Sequence, residues 1–372
     1  MKMIKLDGVS KQYIYGARVF APVDMTINDG EIVALLGDEL SGKTTFLKVV
    51  AGVTDSEGKV LFDGEPLAKK PDDVIMIFDD LALFANRSCY YNLAYPLKIR
   101  GANKDEIDKR VKAAAEKVGI TASLYFKARK LDSIDKKRLA IARLFLRDFK
   151  VALVDDITRG LKKEDAKTLW QEVAPALQDF AKEGKIVIFA TRDKDEAISI
   201  ADRIVVMHYR QIKQIGTLEQ ILQNPSNIWA AQAFDEDYAF EKARLEIGDG
   251  KLVATTEDGF EIDLSHLDGK VIKSYIGQDV YVGWASDCYD VSGERKAKVE
   301  HAYKSENGYI LTCGNRRIKC DEKLAETGTL PLLGKALLFD DTNENSILSD
   351  VIAAYSKTEL ESQGDDRSER RA

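Results

Sequence analysis

A glycine-containing segment near the amino terminus has the spacing of a phosphate-binding loop. Its sequence, GDELSGKTT, fits G-x-x-x-x-G-K-[ST] and lies between the apolar run EIVALL and the helical pattern TFLKVVAG. In such a loop, backbone N–H groups and the helix N terminus bind phosphates, Lys43 reaches the β and γ oxygens, and the Thr44 hydroxyl ligates Mg²⁺. We predict an ATP–Mg²⁺ site that contacts Gly37, Leu40, Ser41, Gly42, Lys43, Thr44 and Thr45.

Two adjacent carboxylates follow a second buried-strand pattern. The run VALVDD ends in Asp155 and Asp156. A phosphate-loop ATPase needs one carboxylate to orient Mg²⁺ and another to polarise the attacking water. We therefore predict that Asp155 is the metal carboxylate and that Asp156 stands in the place of the base.

The elements that must position these residues belong to the first of three segments that differ in their sequence patterns. Residues 1–235 alternate β-rich runs, such as VIMIFDD and KIVIFAT, with helical stretches such as KDEIDKRVKAAAEKVG, which predicts an α/β domain with a parallel sheet. Residues 236–352 show short alternating strands separated by turns with DG, NG and GN, which predicts a small all-β barrel or sandwich. We expect residues 353–372, which are charged and poor in apolar anchors, to be a disordered tail.

Composition excludes several function classes. The chain has 372 residues, 45% of them hydrophobic, and a formal charge of -7. Since no dense run of lysine and arginine occurs, we predict no nucleic-acid partner. No apolar run reaches the roughly 18 residues of a membrane span, and no secretion signal is apparent, so we expect a cytosolic protein.

The motifs GDELSGKTT, FDD, LDSIDKKRLAIAR, VALVDD and FATRDKDEAISIADRIVVM resemble, in order and spacing, those of an ABC-transporter nucleotide-binding domain. The second half, with VYVGWAS and LLFDD, is similar to the oligonucleotide-fold-like (TOBE/MOP-type) domain of ATPases that power carbohydrate and polyol importers, such as the maltose importer. The resemblance implies a P-loop NTPase fold and two ATP-binding subunits that close head to tail around ATP. It also implies a membrane permease above them, a peripheral location on the cytoplasmic face, and an extracytoplasmic solute-binding protein as an indirect partner.

The family signature L-S-G-G-Q, which contacts the nucleotide of the opposite subunit, is replaced in this chain. It aligns with Leu131, Asp132, Ser133, Ile134 and Asp135, so Asp132 replaces the serine that would touch the γ-phosphate. Two carboxylates at this spacing predict a helix that caps its own N terminus with its own anions. A carboxylate ~4 Å from a phosphate oxygen costs several kcal/mol at an effective dielectric constant near 20. We therefore expect weakened closure over a partner's ATP, although Asp132 and Ser133 keep the place of the nucleotide contacts.

Catalytic positions of the family differ here as well. The family's magnesium-sensing glutamine aligns with Asp79, its general-base glutamate with Asp156 and its switch histidine with Arg192. Arg192 stays protonated and cannot relay a proton; it either holds the γ-phosphate or pairs with Asp156 or Asp193. Asp79 either ligates Mg²⁺ directly or is a solvated turn carboxylate.

Two aromatic regions resemble family contact sites. Tyr13 stands where the family stacks an aromatic ring on adenine; Tyr15 is a rival, and packing in a core or turn is the alternative. Residues 80–97 resemble the permease-docking surface, in which Phe84, Tyr90 and Tyr91 would receive a coupling helix unless they pack in the core.

The substitutions at these positions indicate which kind of partner subunit the chain needs. A homodimer would lack the signature, the base and the switch at both sites, so hydrolysis would be nearly absent. We predict a degenerate subunit that binds ATP–Mg²⁺, hydrolyses slowly or not at all, and pairs with a different, intact ATP-binding subunit of a sugar, polyol or related importer. Two alternatives stay open: a sluggish homodimeric import ATPase, and a non-catalytic nucleotide-binding interaction protein.

Overall fold

The computed structural model describes residues 3–13, 16, 18–67, 71–235, 238–248, 251–257, 261–264, 273–284, 296–298, 301–305, 308–313, 316–320, 329–331, 337–340 and 345–346. Contacts divide the chain into two compact units, Met1–Leu218 and Glu219–Ala372.

This division falls ahead of the boundary at 235/236 that the sequence pattern indicates. The segment after Leu218 belongs to the second unit because Asn227 forms a bridge with Asn345 and Ile228 packs in one cluster with Phe339. The separate functional domains at 1–235 and 236–352 stay a prediction. The expected tail at 353–372 lies outside the described residues.

The first unit contains two sheets and the helices that connect their strands. Its strands are β1 (Met3–Gln12), β2 (Arg18–Asn28), β3 (Ile32–Gly37), β4 (Glu57–Phe62), β5 (Glu65–Pro66), β6 (Val74–Ile77), β7 (Val151–Asp155), β8 (Ile186–Thr191), β9 (Arg203–His208) and β10 (Gln211–Gly216). Its helices are α1 (Lys43–Val50), α2 (Cys89–Ile99), α3 (Lys104–Lys117), α4 (Ser133–Ile141), α5 (Lys163–Lys182) and α6 (Lys194–Ile200), with 3₁₀ turns at Thr121–Ser123, Ala128–Lys130 and Ala142–Phe145.

The central sheet has the strand order β10-β9-β3-β8-β7-β6. Every neighbouring pair is parallel except β10–β9, which is antiparallel, and this confirms the predicted α/β fold. Strands β3, β7 and β8 are almost wholly buried, because helices and a second sheet cover both faces of a parallel sheet and only apolar runs satisfy that environment. Ligands of such sheets bind beyond the carboxyl ends of the strands, which is where β3, β6, β7 and β8 deliver their polar residues.

Two hydrophobic clusters hold the first unit together. One lies between the central sheet and the antiparallel sheet β2-β1-β4-β5, and it includes Phe46 and Leu47 of α1. The other joins α2, α3 and α4 through Leu93, Val111 and Leu139, all with 0% exposure. The first cluster fixes α1 and the phosphate loop, and the second fixes the start of α4.

The second unit consists of two short helices followed by antiparallel strands over its described residues. The helices are α7 (Leu218–Gln223) and α8 (Ile228–Gln232). The strands are β11 (Ala239–Gly248), β12 (Lys251–Thr256), β13 (Glu261–Asp263), β14 (Asp279–Trp284), β15 (Lys296–Lys298), β16 (His301–Ser305), β17 (Gly308–Cys313), β18 (Arg316–Cys320), β19 (Thr329–Pro331) and β20 (Leu337–Asp340), with a 3₁₀ turn at Lys273–Tyr275.

Hairpin signals in the second half correspond to real strand pairs. Near the NG signal Ser305 pairs with Gly308, and near the GN signal Cys313 pairs with Arg316. A larger sheet has the order β13-β12-β11-β14-β20. The antiparallel β-rich character is therefore confirmed over the described residues, while the TOBE/MOP-type identity stays a prediction. No helix in the described ranges is long and apolar enough to cross a bilayer.

Candidate nucleotide-binding site

The predicted phosphate loop joins β3 to α1 and leaves the helix N terminus open. Gly42 precedes the helix with φ 107°, and no side chain caps the first N–H groups of α1. Leu40 adopts φ 64°, a conformation that non-glycine residues rarely adopt, and its side chain points outward with 81% exposure. The loop therefore accommodates the leucine, and the free N–H groups suit an anion.

Lys43 is a buried cation at the centre of this loop. Its Nζ donates to the carbonyl oxygens of Gly37 and Asp38, at 2.5 and 2.8 Å, and to Ser41 Oγ at 3.3 Å. Burial lowers the pKa of Lys43. Since all three acceptors belong to the loop itself, Lys43 is held without a side-chain anion as its hydrogen-bond partner, and a phosphate would supply one.

Two of the residues predicted to bind Mg²⁺, Thr44 and Asp155, lie next to each other. Thr44 Oγ1 donates to Asp155 Oδ1 at 3.1 Å, and Asp155 Oδ2 is buried with no hydrogen-bond partner. Burial raises the pKa of Asp155 to about 6. A hydroxyl beside an unsatisfied carboxylate oxygen fits Mg²⁺, which takes few protein ligands and completes its shell with phosphates and water.

Arg192 forms an ion pair with Asp156, which was one of the two alternatives for its role. Its Nε lies 3.2 Å from Asp156 Oδ2, and that carboxylate is only 11% exposed. Asp156 has φ 43°, and its backbone N–H donates to the carbonyl of Ala190 on β8. The residue at the base position is therefore bonded to a permanent cation.

A cavity of about 490 Å³ brings most of the predicted residues together. It is lined by Tyr13, Gly16, Val19, Glu39, Leu40, Ser41, Gly42, Lys43, Thr44, Thr45, Asp155, Asp156, Arg159, Arg192 and Arg210. Gly37 and Asp79 lie beside this lining and are not part of it, and neither Asp132 nor Ser133 is part of it. Within one chain, the signature residues therefore do not contribute to the cavity.

Sequence reasoning missed Arg159 and Glu39 as site residues. Arg159 forms ion pairs with Glu39 of the phosphate loop and with Asp79, the latter at 3.4 Å. The only local signals were the position of Glu39 inside the loop motif and of Arg159 three residues after Asp156. Asp79 also accepts from the N–H of Asp80 at 3.0 Å, so it is a turn carboxylate paired with arginine. Its role as a Mg²⁺ ligand stays a prediction.

Tyr13 lies at the cavity wall and is 45% exposed. Lys11 Nζ lies 5.0 Å from the centre of its ring. The ring is thus neither a core residue nor covered by its neighbours, which is compatible with the predicted stacking on adenine. Tyr15, the rival, lies outside the described residues.

The residues predicted to align with the family signature lie at the N terminus of α4, and one of them caps this helix. Asp132 is the N-cap of α4, and its Oδ1 accepts from the N–H of Asp135 at 2.8 Å. The second carboxylate does not cap the helix. Asp135 Oδ1 accepts a hydrogen bond from Arg138 at 2.9 Å, and Arg138 also donates to Glu172 on α5. The expectation that both carboxylates satisfy backbone N–H groups is thus corrected, because Arg138 is a stronger partner for Asp135.

Replacing Asp132 with alanine should lower the free energy of unfolding by about 1 kcal/mol, because the N–H of Asp135 loses its acceptor. Asp132→Asn keeps an oxygen acceptor and should lose much less. Urea unfolding of both variants measures the difference. Equal losses for the two variants would show that the cap contributes nothing.

Glu196 is a buried carboxyl group that the sequence reading passed over. It is 6% exposed and accepts from Thr191 Oγ1 at 2.6 Å, and burial raises its pKa to about 7. A carboxyl whose pKa is higher in the folded state than in the unfolded state stabilises the fold fully below the unfolded pKa. That contribution is lost as the pH rises through the folded pKa.

The free energy of unfolding should therefore fall by about 1 kcal/mol between pH 6 and pH 8 on account of Glu196. In Glu196→Gln the decrease should be smaller by about 1 kcal/mol, because glutamine keeps an acceptor for Thr191 and does not ionise, and only the smaller contribution of Asp155 should stay. Denaturant titrations at several pH values measure it, with the exposed Glu116→Gln as control. A decrease of the same size in Glu196→Gln would assign the effect to another group.

Aromatic side chains in residues 80–97 form a partly exposed patch. Phe84 packs edge-on against Tyr91 and Tyr95, with ring centres 5.8 and 5.0 Å apart, and is 44% exposed. Tyr90 instead stacks on Tyr125 and packs against the helical core. Arg143 donates to the carbonyls of Leu81 and Ala82, which precede this patch. Of the three predicted docking residues, Phe84 and Tyr91 share a surface and Tyr90 lies apart from it.

Comparison with known proteins defines the family. The model of the family "ABC transporter" matches residues 20–159. The chain is 32% identical over 275 residues to the spermidine/putrescine import ATP-binding protein PotA of Spiroplasma citri, covering 72% of this chain and 77% of that protein. It is 33% identical over 265 residues to the multiple sugar-binding transport ATP-binding protein MsmK of Streptococcus mutans, covering 68% and 69%. The chain belongs to the ABC-transporter ATP-binding proteins.

Two further similarities agree with this family. The sn-glycerol-3-phosphate import ATP-binding protein UgpC of Cupriavidus metallidurans is 35% identical over 239 residues, covering 62% of this chain and 63% of that protein, slightly under two thirds of its length. The structure of cbiO1 from Clostridium perfringens, part of the ABC transporter complex cbiONQ, has a TM-score of 0.52 and 26% identity. It covers 59% of this chain and 90% of that chain. ABC ATPases bind ATP, normally with Mg²⁺. That the cavity around Lys43 holds the nucleotide stays a prediction.

Proposed function

We propose that this chain is the ATP-binding subunit of an ABC importer for a sugar, polyol or related solute. It binds ATP–Mg²⁺ on the cytoplasmic face of the membrane, peripherally to a permease that docks on the surface at residues 80–97. A solute-binding protein delivers the cargo to the permease. The relatives named for multiple sugars and for sn-glycerol-3-phosphate support this cargo class.

Polyamine import is the second candidate. The protein from Spiroplasma citri is named for spermidine and putrescine, and its alignment covers 72% of this chain. Uptake assays in cells with and without the chain separate the two, since loss of sugar or polyol uptake supports the first cargo class and loss of polyamine uptake the second.

We further propose that the subunit is degenerate and pairs with a different, intact ATP-binding subunit. The observation that carries this is the occupied N terminus of α4: Asp132 supplies an anion where the family presents serine to the partner's γ-phosphate. The ion pair between Arg192 and Asp156 adds to it, because it ties the base position to a cation. In such a pair, each ATP site would combine residues from both subunits. The partner would supply an intact half to each site, and this chain would supply the half with the replaced residues.

The purified chain alone should hydrolyse ATP at least about 100-fold more slowly than the ~1 s⁻¹ at the lower end of typical kcat values. Adding the base and the switch back, as Asp156→Glu with Arg192→His, should raise this rate less than about tenfold, because Asp132 still opposes closure. Release of phosphate measures both rates. A gain of about 100-fold or more would support the sluggish homodimer instead.

Co-expression with candidate partners tests the pairing itself. A second ATP-binding subunit that carries an intact LSGGQ, together with permease subunits, should co-purify with this chain and show turnover that this chain alone lacks. A chain that co-purifies with neither permease nor second subunit would favour the non-catalytic interaction protein.

A further inference from the structure

Arg159 occupies a place from which it can reach the phosphates of a bound nucleotide. It lies on the turn directly after β7, where its N–H donates to the carbonyl of Asp156 at 3.0 Å. Its side chain lines the same cavity as Lys43 and Thr44. Arg159 therefore shares the cavity with the predicted Mg²⁺ ligands Asp155 and Thr44 and with Lys43, which reaches the β and γ oxygens in such loops.

The ion pairs that Arg159 now makes are weak enough to exchange. Its own side chain is 43% exposed, and those of Glu39 and Asp79 are 58% and 32% exposed. Ion pairs of this exposure contribute little to stability. Arg192, by contrast, pairs with a carboxylate that is 11% exposed, so Arg159 is the arginine that changes partners more readily.

Glu39 makes a cation at this place necessary. Its carboxylate lies in the phosphate loop and lines the cavity, so it would repel an incoming γ-phosphate unless a positive group lies between them. The guanidinium of Arg159 contacts that carboxylate. A planar guanidinium with five N–H donors can bond a carboxylate and a phosphate oxygen at once, which an ammonium group does less well.

We propose that Arg159 binds the terminal phosphate of ATP from within the same subunit, exchanging its contacts with Asp79 and Glu39 for phosphate oxygens. The chain thereby supplies positive charge to its own nucleotide in cis, in addition to that of Lys43. This inference rests on the proposed nucleotide binding and adds that the site prefers triphosphate over diphosphate.

Calorimetric titration of the full chain with AMP-PNP, a non-hydrolysable ATP analogue, and with ADP, both with Mg²⁺, tests the proposal. Arg159→Ala should weaken AMP-PNP binding about tenfold or more and ADP binding less than threefold, since ADP lacks the terminal phosphate. Arg159→Lys should lie between, and the exposed Arg129→Ala should match the unaltered chain. Equal losses for the two nucleotides, or none, would overturn the proposal.

A double-mutant cycle with Glu39 separates phosphate binding from simple charge neutralisation. If Arg159 binds phosphate, Glu39→Ala should bind AMP-PNP more tightly than the unaltered chain, and Glu39→Ala with Arg159→Ala should bind it at least about fivefold more weakly than Glu39→Ala alone. If Arg159 only neutralises Glu39, the double variant would bind like Glu39→Ala, and the proposal fails. An unaltered chain that binds neither nucleotide would refute the proposed function itself.

Discussion

Replacing Lys43 with alanine should lower the affinity of the chain for ATP by about 100-fold or more. Lys43 is the buried cation of the cavity, and its Nζ is held by Gly37 and Asp38 carbonyls in the loop that would surround the phosphates. The substitution removes the charge-assisted bonds to phosphate and also leaves two loop carbonyls without their donor.

Titration with AMP-PNP measures this loss, and Lys98→Ala, an exposed lysine in the last turn of α2, is the matched control. The thermal unfolding midpoint of each variant shows whether the fold is retained. Affinity of Lys43→Ala within threefold of the unaltered chain would mean that nucleotide binds elsewhere or that the loop does not bind phosphate.

Replacing Gly37 with alanine should lower the free energy of unfolding by about 3 kcal/mol or more. A Cβ on Gly37 would lie 2.1 Å from the carbonyl oxygen of Met207 and 3.0 Å from Ser41 Oγ. Gly37 is paired in register with Met207, so the carbonyl can withdraw only if β9 separates from β3. Such a loss is a large part of the 5–15 kcal/mol that typically stabilises a domain.

The matched control is Gly119→Ala. Gly119 has φ +70° and nothing within 4 Å of its added Cβ, so alanine there brings backbone strain of roughly 1–2 kcal/mol and no collision. Urea unfolding curves give both values. Equal losses would show that strand β9 accommodates the methyl group and that Gly37 is replaceable.

Local motifs predicted much of the fold and of the site. The phosphate loop, its strand and its helix are contiguous, so the spacing from Gly37 to Thr45 carries the whole arrangement. The burial of β3, β7 and β8 follows from apolar runs, and the cap at Asp132 follows from a spacing of three residues. These features depend on neighbours along the chain.

Features that depend on distant pairs could not be predicted. Arg159 contacts Glu39 and Asp79, which lie 120 and 80 positions away, and no pattern along the chain joins them. Glu196 was overlooked because its burial is a property of the packed site, although Thr191, its hydrogen-bond donor, is only five residues away. The early division of the chain at Leu218 depends on Asn227 meeting Asn345.

The hydrogen bonds of Arg143 connect two regions that are far apart in sequence. Leu81 and Ala82 both adopt positive φ, and Arg143 holds their carbonyls from just beyond the last turn of α4, at 2.8 Å each. Displacing Leu81 and Ala82, which precede the aromatic residues at Phe84, would therefore either carry Arg143 along or break both bonds. In the assembly that we propose, this connection would transmit movement between a docked permease and the helix α4 that begins after Asp132.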